Sequence, residues 1–157
     1  MSKPDNWRGI DVKRELTHKA LETILVKGND SMFPRLKDLM VFAASIGYSL
    51  GQRVPLNGQT DGIILDTYAT DGLDGYIYLF GLLEAKNGEC LRMDNLRETI
   101  KVYEEFCNTG LYEIQKWLDE NPSDPSATDT ILNKMLAKVT QLEDSADFDP
   151  GGIQLEI

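Results

Sequence analysis

The sequence predicts a mostly α-helical protein: a single compact helical domain of about five to six helices, with at most a small β-hairpin near residues 53–68. Apolar residues recur three and four positions apart in several stretches, which is the spacing of one helix face. Clusters of glycine, asparagine, aspartate and proline separate these stretches. The chain has 157 residues, 41% of them hydrophobic, which is enough to bury one core.

Three regions follow from this pattern. We expect residues 1–10 to form a flexible arm with Trp7 as an anchor for a partner, and residues 11–142 to form the helical domain. Residues 143–157 are expected to be a flexible acidic tail, because low hydrophobicity combined with high charge disfavours a packed structure.

The first predicted helix runs from Asp11, a suitable N-cap, to about Lys27. Its charged side is expected to face solvent, and it includes His18, the single histidine of the chain. Any serine or cysteine catalytic triad would depend on that residue. Basic residues in this region could contact phosphate, although a solvated helix face is the simpler interpretation. They are Arg8, Lys13, Arg14, Lys19 and Lys27.

The clearest helix pattern begins near Phe33, where Pro34 suits the first helical turn. Gly47 or Gly51 can supply the left-handed residue that ends this helix. The segment Arg53–Leu56 leads away from it. If that segment is extended, it could pair with a strand at Gly62–Tyr68 to form the hairpin.

The second half of the chain contains three or four further helices. The apolar run Leu73–Lys86 fits a central, buried helix, but a strand also fits, since periodicity does not separate the two. Asp94 begins a helix that is expected to stop at Asn108-Thr109-Gly110. A short helix at Leu111–Leu118 and a last one containing Ile131–Leu142 complete the domain.

Composition excludes several classes of protein. The net charge of −10 disfavours a broad nucleic-acid-binding face. No apolar run approaches the roughly 18 residues that cross a bilayer, so we expect a cytoplasmic protein without membrane contact. Two cysteines and one histidine are too few for a four-ligand zinc site of the usual kind. We expect neither a metal nor another cofactor.

The tail carries acidic residues and no basic ones from position 143 onward. Its last five residues alternate apolar and polar, so they could add as a strand to the sheet of a partner. The alternative is a tail that only improves solubility. The predicted interface residues of the tail are Ile153, Leu155 and Ile157.

One pattern points to an enzyme. Nucleases of the PD-(D/E)xK type use an acidic residue followed by E-x-K on a neighbouring strand, where the carboxylates hold Mg²⁺ and the lysine orients water. Here the matching residues would be Asp66, Glu84 and Lys86. The pattern is weak, because Asp66 lacks the usual preceding proline and E-x-K is a common tripeptide on helix surfaces.

A longer phrase is more specific. Met32-Phe33-Pro34 leads into K-D-L-M-V-F-A-A-S-I-G-Y at residues 37–48, followed by G-Q-R-V-P-L at 51–56. Together with L-L-E-A at 82–85 and the stretch at 103–114, this resembles a small accessory protein family associated with bacterial DNA phosphorothioation (Dnd) gene clusters. The resemblance covers about residues 12–120. It implies a mostly helical accessory protein linked to modification-dependent defence against foreign DNA, and it supplies no catalytic residues. The acidic tail departs from the pattern.

The sequence therefore leads to one main hypothesis and two alternatives. The main hypothesis is a non-enzymatic accessory or interaction subunit of a bacterial DNA-modification-linked anti-phage defence system. It would dock other protein subunits through Arg53, Val54, Pro55 and Leu56 and through the tail, and direct DNA contact is not favoured. The alternatives are the Mg²⁺-dependent nuclease and an acidic DNA mimic, which would bind a basic partner with strong dependence on salt.

Overall fold

The computed structural model describes residues 6–145 and confirms a mostly helical fold with one small β-sheet. Within those residues, the strands β1 (Asp11–Glu15) and β2 (Thr60–Ile64) pair antiparallel. The same part of the chain contains six α-helices, which are α1 (Lys19–Glu22), α2 (Leu36–Leu50), α3 (Leu65–Thr70), α4 (Asp74–Ala85), α5 (Leu96–Glu120) and α6 (Thr128–Ser145).

The core is centred on α2 and α5, whose backbones touch. A Cβ atom added at Gly110 of α5 would lie 1.8 Å from the carbonyl oxygen of Ala43, and one added at Gly47 would lie 2.1 Å from that of Phe106. Only glycine fits at such distances. Gly47 is therefore a packing residue inside α2, whereas the helix ends at Gly51, which has a left-handed φ of 66°.

A single helix, α5, replaces the two helices predicted on either side of Asn108-Thr109-Gly110, so the predicted stop is wrong. Asn108 is 2% exposed and Thr109 is 4% exposed. Both side chains bond to segments outside α5, while Gly110 lets α2 approach. Asparagine and glycine often end a helix, but here they make tertiary contacts from the middle of one.

The predicted helix from Asp11 to Lys27 is wrong in its first half, which is the strand β1. A 3₁₀ turn at Leu16–His18 leads into the short helix α1, and a π-helical turn at Thr23–Lys27 continues it. The strand forms because its hydrogen-bonding partner is supplied by β2, some fifty residues later. A local reading of the sequence contains no sign of that partner.

Of the predicted hairpin, one strand is present, but it is Thr60–Ile64 and not Gly62–Tyr68, because the chain turns into the helix α3 at Leu65, and the predicted pairing is wrong. Val12 of β1 lies opposite Ile63 of β2, so the second strand pairs with the N-terminal segment and not with Arg53–Leu56. Within the described residues, Arg53–Leu56 belongs to no helix or strand.

The apolar run that was ambiguous between helix and strand is the helix α4. It buries Ile77 and Phe80 against the core. The expectation that this helix is buried all round is wrong. Tyr76, Leu79 and Leu83 are 38–45% exposed on its outer side. The run is apolar on both sides, while only the side with Ile77 and Phe80 is buried by other residues of the described part of the chain.

The last helix, α6, extends the predicted one by a few residues at each end. In the described part of the chain, none of the helices is long and apolar enough to cross a bilayer. The tail residues Ile153, Leu155 and Ile157 lie outside the described residues, so their predicted role stays a prediction.

Candidate interaction site

The segment Arg53–Leu56, which we call the strap, lies across the buried polar residues of α5. The Val54 amide donates to Oγ1 of Thr109 at 2.9 Å. Nδ2 of Asn108 donates to the Val54 carbonyl oxygen at 3.1 Å. Thr109 Oγ1 also lies 3.0 Å from the carbonyl oxygen of Gln52, just before the strap. Side chains of α5 therefore take the place that a neighbouring strand would normally fill.

Arg53 ties the start of the strap to two helices. Its guanidinium bonds Glu84 of α4 and Glu105 of α5, each at an N···O distance of 3.0 Å. Burial works against the charged guanidinium, but the hydrogen bonds to both carboxylates outweigh it and raise the pKa of Arg53. A planar fork that bonds two carboxylates fixes the direction in which the chain leaves α2.

Beyond the strap, the Glu15 carboxylate collects three hydrogen bonds. Oε1 accepts from the Asn57 amide at 2.8 Å and from Nδ2 of Asn108 at 3.0 Å, and Oε2 accepts from the Tyr112 hydroxyl at 2.5 Å. Burial alone would raise the pKa of Glu15, but the bonds from Tyr112, Asn57 and Asn108 lower it below its ordinary value. The carboxylate thus links β1, the chain after the strap and α5.

His18 completes this buried network. Its Nε2 lies 2.8 Å from Oδ1 of Asn108 and 3.9 Å from a Glu15 oxygen, and its ring meets the edge of the Tyr112 ring at a centroid distance of 4.7 Å. The expectation of a solvent-exposed histidine is wrong, since His18 is only 3% exposed. The contacts with Asn108 and Tyr112 explain why His18 is buried and indicate a structural role.

The backbone of the strap is bonded inward, whereas the side chains of Val54 and Pro55 are accessible. Val54 is 37% exposed, Pro55 is exposed and Leu56 is half-buried. Tyr112, whose hydroxyl reaches the buried Glu15, is 45% exposed. A fixed backbone with accessible apolar side chains is a surface that a partner can bind without first ordering it.

Of the five basic side chains that could contact phosphate, Arg14 is not accessible, whereas Lys27 is exposed. Arg14 is 7% exposed, and its Nε lies 2.5 Å from Glu22. The Arg14 guanidinium is therefore paired with Glu22 inside the domain. Lys13 and Lys19 are exposed, while the exposed Arg8 lies in an ion pair with Asp66 at 3.0 Å. Trp7, the predicted anchor, is half-buried against the core.

The nuclease arrangement lacks the strand that it needs. Glu84 lies near the end of a helix and is paired with Arg53, and Lys86 follows that helix with a φ of 56°. Asp66 lies in the first turn of α3. Within residues 6–145, no group of three or more histidine, cysteine, aspartate or glutamate side chains is arranged to hold a metal ion.

Sequence reasoning identified the strap but missed the residues that hold it. The pattern predicts a helix stop at Asn108 and Thr109 and a separate helix that contains Tyr112. One signal was available: the apolar stripe that includes Cys107 continues in phase at Leu111 and Ile114, on the far side of the predicted stop. A stripe that keeps its helical phase is typical of one continuous helix.

A family model described as DNA sulphur modification system-associated protein 4 matches residues 12–151. The match runs from β1 through α6, so it includes the strap, the buried network and part of the acidic tail. It extends about thirty residues beyond the resemblance noted in the sequence, and the acidic tail is not wholly a departure from the family. Searches among curated proteins and among solved structures find no match.

Proposed function

Because this chain belongs to the family of DNA sulphur modification system-associated protein 4, we propose that it is a non-enzymatic accessory subunit of a bacterial DNA-modification-linked anti-phage defence system. In this proposal it binds another protein of that system through the strap. The observation that carries it is the contrast within the strap between a backbone bonded inward and apolar side chains left accessible.

The way in which the strap is held supports a role in binding. Its backbone bonds to side chains of Asn108 and Thr109, and both are buried polar residues inside a helix. Polar groups in a core are costly unless they are fully bonded, and a simple connecting loop does not require them. Their use here is explained if the exact position of the strap matters.

The composition of the strap also suits protein recognition. An exposed valine and proline provide apolar contact, and Tyr112 adds an aromatic ring with a fixed hydroxyl. Tyrosine is enriched at protein interfaces because it buries a large area with few rotatable bonds. The net charge of −10 makes a protein partner a better fit than the DNA backbone.

The test is recovery of partner proteins from the native host by a tagged chain. The variant Val54→Glu places a charge on the strap without removing any of its backbone bonds, and we expect it to lose the partner. The matched control is Leu79→Glu, which places the same charge at an apolar position of similar exposure on α4. That control should still recover it.

Two results would contradict the proposal. One is recovery of no component of the modification or defence system by the unchanged chain. The other is equal recovery by Val54→Glu and the unchanged chain, with both proteins folded by circular dichroism, since this would place the contact elsewhere.

A further inference from the structure

A cleft of about 320 Å³ opens beside the first residue of the strap, between the end of α4 and the first half of α5. Its third side is the 3₁₀ turn Gly88–Leu91, which joins the two helices. The lining combines apolar groups, at Gly81, Ala85 and Val102, with carboxylates, at Glu84, Glu89 and Glu98. The volume lies at the small end of the range for ligand pockets, so the cleft suits one side chain better than a cofactor.

Hydrogen bonds fix the non-helical wall of this cleft. Oγ1 of Thr99 donates to the Cys90 carbonyl oxygen at 2.7 Å, and Nδ2 of Asn95 donates to that of Glu89 at 2.8 Å. The side chain of Asn87 caps the 3₁₀ turn, because its Oδ1 accepts from the Glu89 amide at 3.0 Å. A cleft whose walls are held in this way needs little reordering when a group binds in it, which lowers the entropic cost of binding.

The charges around the cleft are mostly negative. Arg53 supplies the positive charge of the lining, but its guanidinium is already bonded to Glu84 and to a second glutamate, on α5. Arg92 lies 3.7 Å from Glu89 in a pair whose side chains are 61% and 71% exposed, and such a pair neutralises little. Glu98 is exposed and forms no ion pair with any residue of the described part of the chain. The cleft therefore favours a further cation.

We propose that this cleft receives an arginine side chain of the protein that binds the strap. The inference rests on the proposed function and adds the chemistry by which the partner is recognised. Arg53 belongs to both surfaces, since it begins the strap and also lines the cleft. The next residue, Val54, is exposed on the strap. The two surfaces therefore adjoin, and one extended segment of a partner can cover Val54 and place a side chain in the cleft.

Arginine fits the lining better than other side chains do. Its methylene groups can pack on Ala85 and Val102 while its guanidinium stays beside the exposed carboxylates. A planar guanidinium can bond carboxylates through two N–H groups at once, whereas a lysine ammonium acts as a point charge. Acidic side chains are repelled by the glutamates, and an uncharged side chain leaves their charge uncompensated. Arginine is also enriched among the residues that contribute most to protein interfaces.

A capped arginine, Nα-acetyl-arginine methylamide, tests the cleft without the partner. We expect its titration into the full chain to shift the amide resonances of residues that line the cleft, among them Glu89, Cys90 and Glu98, with a dissociation constant of roughly 1–10 mM. Nuclear magnetic resonance of the isotope-labelled protein measures the shifts. Capped citrulline has the same shape without the charge and should shift none of these signals, while capped lysine should bind several-fold more weakly.

The variant Glu98→Gln removes the carboxylate that has no cation beside it, and we expect it to weaken the binding of capped arginine about three- to fivefold. The matched control Glu143→Gln removes an exposed carboxylate at the end of α6 and should leave the affinity unchanged. Equal binding of arginine and citrulline, equal binding of arginine and lysine, or shifts outside the cleft would overturn the inference. So would an affinity that is the same in Glu98→Gln and in the unchanged chain.

Recovery of the partner separates this inference from the proposed function. Charge reversal by Glu98→Lys should lower recovery of the protein that the unchanged chain captures by fivefold or more, whereas the control Glu143→Lys should not. If Val54→Glu abolishes recovery and Glu98→Lys leaves it intact, the strap binds the partner and the role of the cleft is overturned. If capped arginine binds in the cleft and Glu98→Lys lowers recovery while Val54→Glu does not, the cleft is supported and the strap is not the docking surface.

Discussion

Nε2 of His18 lies 2.8 Å from Oδ1 of Asn108, which joins the turn after β1 to the middle of α5 across 90 positions of sequence. The Nδ2 atom of the same amide bonds Glu15 and the carbonyl oxygen of Val54. One buried asparagine thus holds the N-terminal segment and the strap in a fixed relation. This contact explains why the long helix carries a buried polar residue near its middle.

We expect Asn108→Leu to lower the free energy of unfolding by about 2–4 kcal/mol, because it leaves a buried carboxylate and a buried imidazole without their shared partner. Urea denaturation followed by circular dichroism measures the change. The control Asn133→Ala removes an exposed amide on α6 and should cost less than about 0.5 kcal/mol. A loss of similar size in both variants would contradict the network.

Thr109→Val keeps the shape of the side chain and removes the oxygen that accepts from the Val54 amide. We expect the exchange of that amide with solvent to become about five- to tenfold faster, in line with the loss of one hydrogen bond of about 1 kcal/mol. Hydrogen–deuterium exchange by nuclear magnetic resonance measures this rate. Thr140→Val, at an exposed position of α6, is the control, and equal exchange in all three proteins would argue against a held strap.

Gly110→Ala tests the contact between α2 and α5. The added carbon would lie 1.8 Å from the Ala43 carbonyl oxygen, so the helices must separate, and we expect a loss of about 3 kcal/mol or more. Gly75→Ala in α4 is the matched control, because its new carbon meets nothing within 4 Å. That change should stabilise by about 0.5–1 kcal/mol through helix propensity. Thermal and urea unfolding report both values.

The raised pKa of Glu104 predicts that the stability of the protein depends on pH. Burial raises the pKa of this carboxyl to about 7, although the Lys13 amide, 2.5 Å away, bonds and favours its charged form. A carboxyl whose pKa is raised by folding stabilises the folded state when the pH is below its unfolded pKa of 4.5. This contribution is lost as the pH rises through 7. The wild-type chain should therefore be less stable at pH 8 than its Glu104→Gln variant.

The expected advantage of Glu104→Gln at pH 8 is about 1–2 kcal/mol, after discounting for solvent near a half-buried group, and it should nearly vanish at pH 5. Urea denaturation at the two pH values measures it. Glu98→Gln, on the same helix, serves as the control. An advantage that is the same at pH 5 and pH 8 would show that the carboxyl titrates normally.

The sequence was most informative where helix-forming signals were local. The start of α2 after Pro34, its end at Gly51 and the stripe of α6 all follow from spacing and from turn chemistry within a few residues. Failures came where distant segments decide the outcome. Asp11–Glu15 is a strand because β2 pairs with it, and Asn108-Thr109-Gly110 continues a helix because α2 and the strap satisfy it.

The candidate site shows the same division. The strap could be recognised from its position after α2 and from its basic, proline-containing sequence. Its binding partners Asn108, Thr109 and Glu105 could not be assigned, since they lie more than fifty residues away. The charged side of the first predicted helix, to which both Glu15 and His18 belong, is expected in solvent because charged residues usually lie there. Hydrogen bonds within the core offset the energetic cost of burying these two side chains.

By itself, the sequence determined the fold class, the main core helix α2 and the family, because local periodicity, glycine chemistry and a shared phrase of residues are all carried by the chain in order. The tertiary structure decided which polar residues are buried, which strand pairs with β1 and which apolar rows remain exposed. These depend on free energies of contacts between distant segments. A hydrogen bond between Asn108 and His18 exists only once the chain has folded to bring them together.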